Sequence, residues 1–257
     1  MPILTPVQVP ISGTCAGDLY EKGCRRNQMI YNNVISGKFI DRPNRFIANV
    51  EVEGISRVCH VKNTGRCKEI LLPGTDVFLQ HLPSPSRKTS YDLISAYKGN
   101  KIINIDSQAP NKIFMEFLQQ GKLIPDITHI KPECRHLNSR FDFYVESGDR
   151  KMFIEVKGVT LEKNGVMKFP DAPTERGVRH VNELCECIRE GFEAYVIFVI
   201  QMKGAKYFTP NMDTHPKFGL VLEEAKQQGV KVLAFECEAG DDYIFITDEV
   251  PVIPGIA

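Results

Sequence analysis

Counting by twos along RFDFYVESGDRKMFIEVKGV, residues 140–159, separates two kinds of face. Phe141, Phe143 and Val145 share one side of a first strand, and Met152, Ile154 and Val156 one side of a second. The opposite sides carry Asp142 with Tyr144, and Phe153 with Glu155 and Lys157. Pairing Val145 with Met152, Phe143 with Ile154 and Phe141 with Val156 brings both apolar sets to one face and leaves ESGDRK as the turn. That register sets Asp142 across from Glu155.

The same reading extends along the chain. Residues 1–28 are rich in Pro, Gly, Thr and Ser without periodicity, which predicts a loosely ordered extension. From residue 29 to 107 the pattern is β-like. KFIDRPNRFIANVEVEGISRVCHV alternates over two runs joined by Glu53-Gly54, KEILLPGTDVFLQ adds a run broken at Pro73-Gly74, and YDLISAYKGNKIINID adds two more beyond the Pro/Ser stretch LPSPSRKTSYD, read as a linker. Short strands and tight turns predict a small barrel or sandwich, the five-stranded OB type being one candidate. From residue 108 to 257 strands alternate with helices. Ile113, Phe114, Phe117 and Leu118 mark one helix, and Val178, Val181, Leu184, Cys185 and Ile188 a second over about 172–190. The buried strand AYVIFVIQM, the helix PKFGLVLEEAKQQG and the strand VKVLAFEC complete an α/β domain.

Charge adds little: 32 Lys and Arg balance 32 Asp and Glu over 257 residues, so any nucleic-acid surface has to be a local patch. No run reaches the roughly 18 apolar residues of a membrane helix, and the N-terminus has no basic stretch ahead of an apolar one. The expectation is a soluble, cytoplasmic protein. Eight cysteines without CxxC spacing argue against a zinc site and for reduced thiols.

The opposed acids give the chemistry. Like charges across a ladder repel, so a positive group belongs between them. Lys157 is one, and a divalent cation is another. Oxygen ligands suit Mg²⁺ or Mn²⁺, and two or three carboxylates leave positions for water and a phosphate oxygen. Asp142, twelve residues, then Glu155-x-Lys157 fits metal-assisted phosphodiester hydrolysis, with Lys157 orienting the nucleophile or holding phosphate. Glu116, the one acid in IFMEFL, is the candidate third ligand. The same spacing also fits a solvated sheet face with a rim ion pair.

Candidate phosphate contacts fall in two strings. HVKNTGRCKEILLPG concentrates donors at Lys62, Asn63, Thr64 and Arg66, and its alternative is an ordinary polar turn. In the second, Lys168 precedes the helix on which Arg176, His180 and Glu183 form one polar stripe.

RFIANVEVEG, HVKNTGRCKEILLPG, SRFDFYVE, FIEVKGVTL and above all FPDAPTERGVRHVNEL stand in the order and spacing of the sugar fermentation stimulation protein A (SfsA) family, which this chain resembles over about residues 29–247. The resemblance implies a DNA-binding protein with an OB-like N-terminal β-barrel and a C-terminal PD-(D/E)xK, restriction-endonuclease-like α/β domain. It implies Asp142, Glu155 and Lys157 as the metal and catalytic set and Glu116 as the helix acid that some of those nucleases add. Phe141 stands where the motif has Pro. The implied partner is DNA, with no membrane and with a second copy of the chain left open. Two other readings remain: a non-catalytic DNA-binding regulator of carbohydrate genes that uses basic residues around Arg66 and Arg176, and an enzyme acting on small phosphate esters.

Overall fold

The structure, a computed structural model, describes residues 28–63 and 65–255. Residues 1–27 of the predicted N-terminal extension, and Thr64, lie outside the described residues. After the short β1 (Met29–Ile30), six strands follow: β2 (Val34–Asn44), β3 (Ile47–Val52), β4 (Ile55–Val61), β5 (Asp76–His81), β6 (Tyr91–Lys98) and β7 (Lys101–Asn104). They pair in the order β4-β3-β2-β5-β6-β7, and a parallel contact of β4 with β6, through His60↔Asp92 and Val61↔Leu93, closes β2 to β6 into a five-stranded barrel. Alternation explains the closure. Ala48, Val50 and Val52 fill the interior with Cys59, Val61, Val77, Leu79 and Leu93, while Glu51 faces out.

Two details differ from the pattern reading. The run before Glu53-Gly54 is itself two strands, β2 and β3, turning at Arg45-Phe46. LPSPSRKTS does not link domains; it connects the antiparallel pair β5 and β6.

The remainder is α1 (Ala109–Gln119), β8 (Ile127–His136), β9 (Ser139–Ser147), β10 (Arg150–Val159), β11 (Leu161–Lys163), β12 (Val166–Phe169), α2 (Glu175–Arg189), β13 (Glu193–Ile200), β14 (Tyr207–Pro210), α3 (Pro216–Gln227), β15 (Lys231–Ala239) and β16 (Tyr243–Val250). Its main sheet runs β1-β16-β15-β13-β10-β9-β8, parallel from β10 through β13 to β15. β1, expected with the barrel, is an edge strand of this sheet. The continuous apolar run of β13 is explained by burial on both faces. Tyr195, Ile197 and Val199 join α1's Phe114 and Phe117, while Ala194, Val196, Phe198 and Ile200 join Val181 and Leu184 of α2 and Phe218 of α3.

The two halves are tied by polar bonds. Gln201 Nε2 donates to Asn104 O, Asn104 Oδ1 and Asp106 O at 3.0–3.1 Å. The backbone N–H groups of Arg66 and Cys67 donate to Asp171 Oδ2 at 2.6 and 3.2 Å. Buried bonds such as those of Gln201 favour one arrangement of the two halves.

Candidate active site

β9 and β10 pair in the expected register as far as Phe143↔Ile154, with Val145↔Met152 beyond it. The ladder then stops. The Val156 N–H, which the next ladder bond would use, donates to Asp142 Oδ2 at 2.8 Å, so the expected Phe141↔Val156 pair does not form. Phe141 turns to the opposite core, 5.3 Å from Phe153 and 6.2 Å from His180 between ring centroids, while Phe143 stays against Phe114 of α1 at 5.8 Å. Asn111 of α1 holds the second oxygen, Nδ2 to Asp142 Oδ1 at 2.7 Å. Burial, and then the charge of Glu155, push the Asp142 carboxyl up to about 6.

Glu155 is 3% exposed. Its Oε1 accepts from Lys157 Nζ and from His180 Nδ1, the latter at 2.5 Å. Burial raises its carboxyl, but the charge of Lys157 and the His180 hydrogen bond outweigh this and hold it below the ordinary range. Its Oε2 is buried without a partner among the described residues. A bare buried acceptor costs about 1–3 kcal/mol, so this oxygen can take a cation or a further donor. Lys157, beside it, keeps its side chain 15% exposed.

Glu116 has no bond to this group among the described residues. It makes no hydrogen bond or ion pair among the described residues, one of its oxygens is buried bare, and burial raises its carboxyl. Asn111, five residues earlier on α1, is the residue that meets Asp142. No group of three or more His, Cys, Asp or Glu among the described residues is placed to hold a metal ion.

His180 is no surface phosphate contact. It is 2% exposed, and its Nε2 accepts from Arg176 Nε at 3.3 Å, so Nδ1 carries the proton given to Glu155. Lys62 is also spent internally, 2.8 Å from the fully buried Asp106 and 3.5 Å from Asp92. Asn63 is a turn residue: Oδ1 accepts from Gly65 N and Nδ2 donates to Ile105 O. Arg66 and Arg176 keep exposed side chains, and Lys168 has only a 3.3 Å pair with the exposed Asp213.

The donor-rich loop serves a different end from the expected one. Its amides at 66 and 67 are filled by Asp171, and Gly65 is needed there because a Cβ would lie 2.8 Å from Asn63 Oδ1 and 3.1 Å from Asp171 Oδ2. Between that loop and β10 lies a cleft of about 340 Å³, which starts at Gly158, the residue after Lys157.

Residues 108–243 match the family described as the sugar fermentation stimulation protein RE domain, and residues 40–105 match its N-terminal OB domain. The chain belongs to the sugar fermentation stimulation protein family. A homolog from Clostridium beijerinckii is 58% identical over 88% of this chain and all of its own length. One from Desulfitobacterium hafniense is 57% identical over 87% of this chain and 98% of its own. Among solved structures, that of Pyrococcus furiosus SfsA in complex with Ca²⁺ covers 88% of this chain and 99% of its own, at 28% identity and a TM-score of 0.80. Both halves of this family member, the OB barrel and the α/β domain, are thereby accounted for. Asn111, Asp171 and Gln201 were not singled out from sequence. Each acts through a partner 31 to 105 residues away, and although Asp171 and Gln201 lay inside strings already marked, neither was read as a polar tie.

Proposed function

We propose that this protein binds DNA and hydrolyses phosphodiesters with Mg²⁺ or Mn²⁺ at a PD-(D/E)xK-type site built from Asp142, Glu155 and Lys157. The observation that carries the reading is the bare, buried Glu155 Oε2 beside a second carboxylate whose proton affinity is raised. Such a pair fits a hard dication, and that a relative was determined in complex with Ca²⁺ supports it. Asp142 and Glu155 would hold the ion, with Glu116 left out; when bound, it neutralises charge developing on phosphorus and makes water a better nucleophile. Two protein ligands leave the remaining positions to water and substrate, the usual arrangement for Mg²⁺.

The chain's own groups do the rest. The Val156 amide and Asn111 fix the Asp142 carboxylate, and His180 fixes Glu155 through Nδ1. Lys157, partly exposed, donates to a phosphate oxygen or orients water. Arg66, Lys168 and Arg176 remain as phosphate contacts, while Lys62, Asn63 and His180 are withdrawn because their polar groups are engaged within the protein. The compartment in this reading is the cytoplasm; Cys59, Cys67, Cys134, Cys185, Cys187 and Cys237, all free and buried, support it.

The rival reading is DNA binding without cleavage. Its support is that two protein donors already hold Glu155 Oε1. Titrating Mn²⁺ and Mg²⁺ against end-labelled single- and double-stranded DNA separates the two. Wild type should cut only with metal, and Asp142→Asn and Lys157→Ala should each lose about a hundredfold or more. Equal residual cleavage in all three contradicts the catalytic reading.

A further inference from the structure

The cleft that β10 borders from Gly158 onward has unusual walls for a binding site. One wall is the end of β10 from Gly158 onward, another is the 169–174 loop ahead of α2, and the third is the barrel, through Arg45 and the Asn63–Gly65 turn. Its floor cannot spread. Arg66 and Cys67 are bonded to Asp171 across it, and Gln201 is bonded to Asn104 and Asp106 beneath it.

Many of the polar groups that line it are already committed. Asn63 is bonded to Gly65 and Ile105, Asp171 Oδ2 to the 66–67 amides, Ser107 to Lys62 O, and Thr174 caps α2 through Gly177 N. Asp171 Oδ1 and Gln201 Oε1 keep acceptor capacity among the described residues, but a sugar or other polyhydroxy ligand needs more free partners than these. Two cationic side chains stand open instead. Arg45 makes no side-chain bond among the described residues, and Lys168 has its one long pair. Next to Arg45, at the tip of the β2–β3 turn, Phe46 is 55% exposed. Free cations, an exposed aromatic ring and few uncommitted base readers describe a sequence-tolerant strand channel on an OB barrel.

We propose that this cleft seats one unpaired nucleotide of single-stranded DNA, with its phosphate on Arg45 and Lys168 and a neighbouring base against Phe46, delivering the next phosphodiester to Lys157. A volume of about 340 Å³ admits a nucleotide, whereas a duplex keeps its bases stacked and paired and cannot enter without unpairing. The substrate class thus deepens, and rests on, the hydrolytic reading above. Recognition is of an unpaired strand, with no base sequence preferred.

Fluorescence anisotropy in chelator tests binding apart from cleavage. The probes are a labelled oligothymidylate of roughly twelve nucleotides and a duplex of the same length, each with wild type, Arg45→Ala, Phe46→Ala and Lys168→Ala. The single strand should bind wild type about tenfold or more tighter than the duplex does. Arg45→Ala and Phe46→Ala should each weaken it about fivefold or more, and Arg45→Ala should lower the salt slope by about one. A duplex bound as tightly as the single strand overturns the proposal, as does unchanged single-strand affinity in the Arg45 and Phe46 variants. If the strand binds as stated while no metal yields cleavage, the cleft assignment stands and the hydrolytic reading alone fails. If metal-dependent cleavage occurs with no preference for single strands, the reverse holds.

Discussion

Asp142 is held by two donors yet keeps its proton longer than an ordinary aspartate, because burial and the Glu155 charge outweigh those bonds and push it up to about 6. The sign follows directly. The folded form binds this proton more tightly than the unfolded chain, so its stabilisation is complete below about pH 4 and lost as pH rises through about 6. At neutral pH the ionised carboxylate therefore costs on the order of 3 kcal/mol against an unperturbed one. Asp142→Asn should unfold in urea at the same or a higher midpoint than wild type at neutral pH, and the advantage should vanish near pH 4. A divalent ion should raise the wild-type midpoint and leave the variant's unmoved. His180 differs, since its loss leaves Glu155 with one donor and a gap beside Phe141. His180→Ala should cost about 2–4 kcal/mol in the same assay, with His180→Gln recovering part. That His180 is buried could not be read from a polar stripe on α2, because its partner Glu155 lies 25 residues away on strand β10.

At the scale of elements, a period of two was enough to pair Val145 with Met152 and Phe143 with Ile154, since that register buries both apolar sets. It did not show where the strands part. Asp142 captures the Val156 amide, and a side chain that replaces a ladder carbonyl leaves no trace in hydrophobic spacing. The helices were legible from their stripes: Ile113, Phe114, Phe117 and Leu118 are all buried on α1, and Val178, Val181, Leu184 and Cys185 on α2. Lys62 misled for the opposite reason, its acids lying 30 and 44 residues downstream in space-filling positions a local reading cannot join. Gly158 shows how tightly β10 meets the rest, for a Cβ there would stand 2.6 Å from Gln201 Oε1 and 2.8 Å from Pro110 Cγ. Gly158→Ala should destabilise by about 1–3 kcal/mol in thermal unfolding and reduce cleavage by moving Lys157.

Across the whole molecule, the barrel and the α/β domain share the Gln201 bonds, the Asp171 contacts with the 66–67 amides and the Lys98–Glu162 pair at 2.7 Å. Calorimetry should show one unfolding transition, and Gln201→Ala should split or broaden it by removing three buried bonds at once. The alternation of short strands and then of strands with helices made both halves legible, whereas the junction depends on side chains no periodicity marks. This junction carries the cleft, which β10 borders from Gly158, the residue after Lys157. Anomalous diffraction from a crystal soaked in Mn²⁺ tests the central claim most directly. The account predicts one peak about 2.0–2.3 Å from an Asp142 oxygen and from Glu155 Oε2. No peak between those groups while the crystal holds Mn²⁺ elsewhere would contradict it.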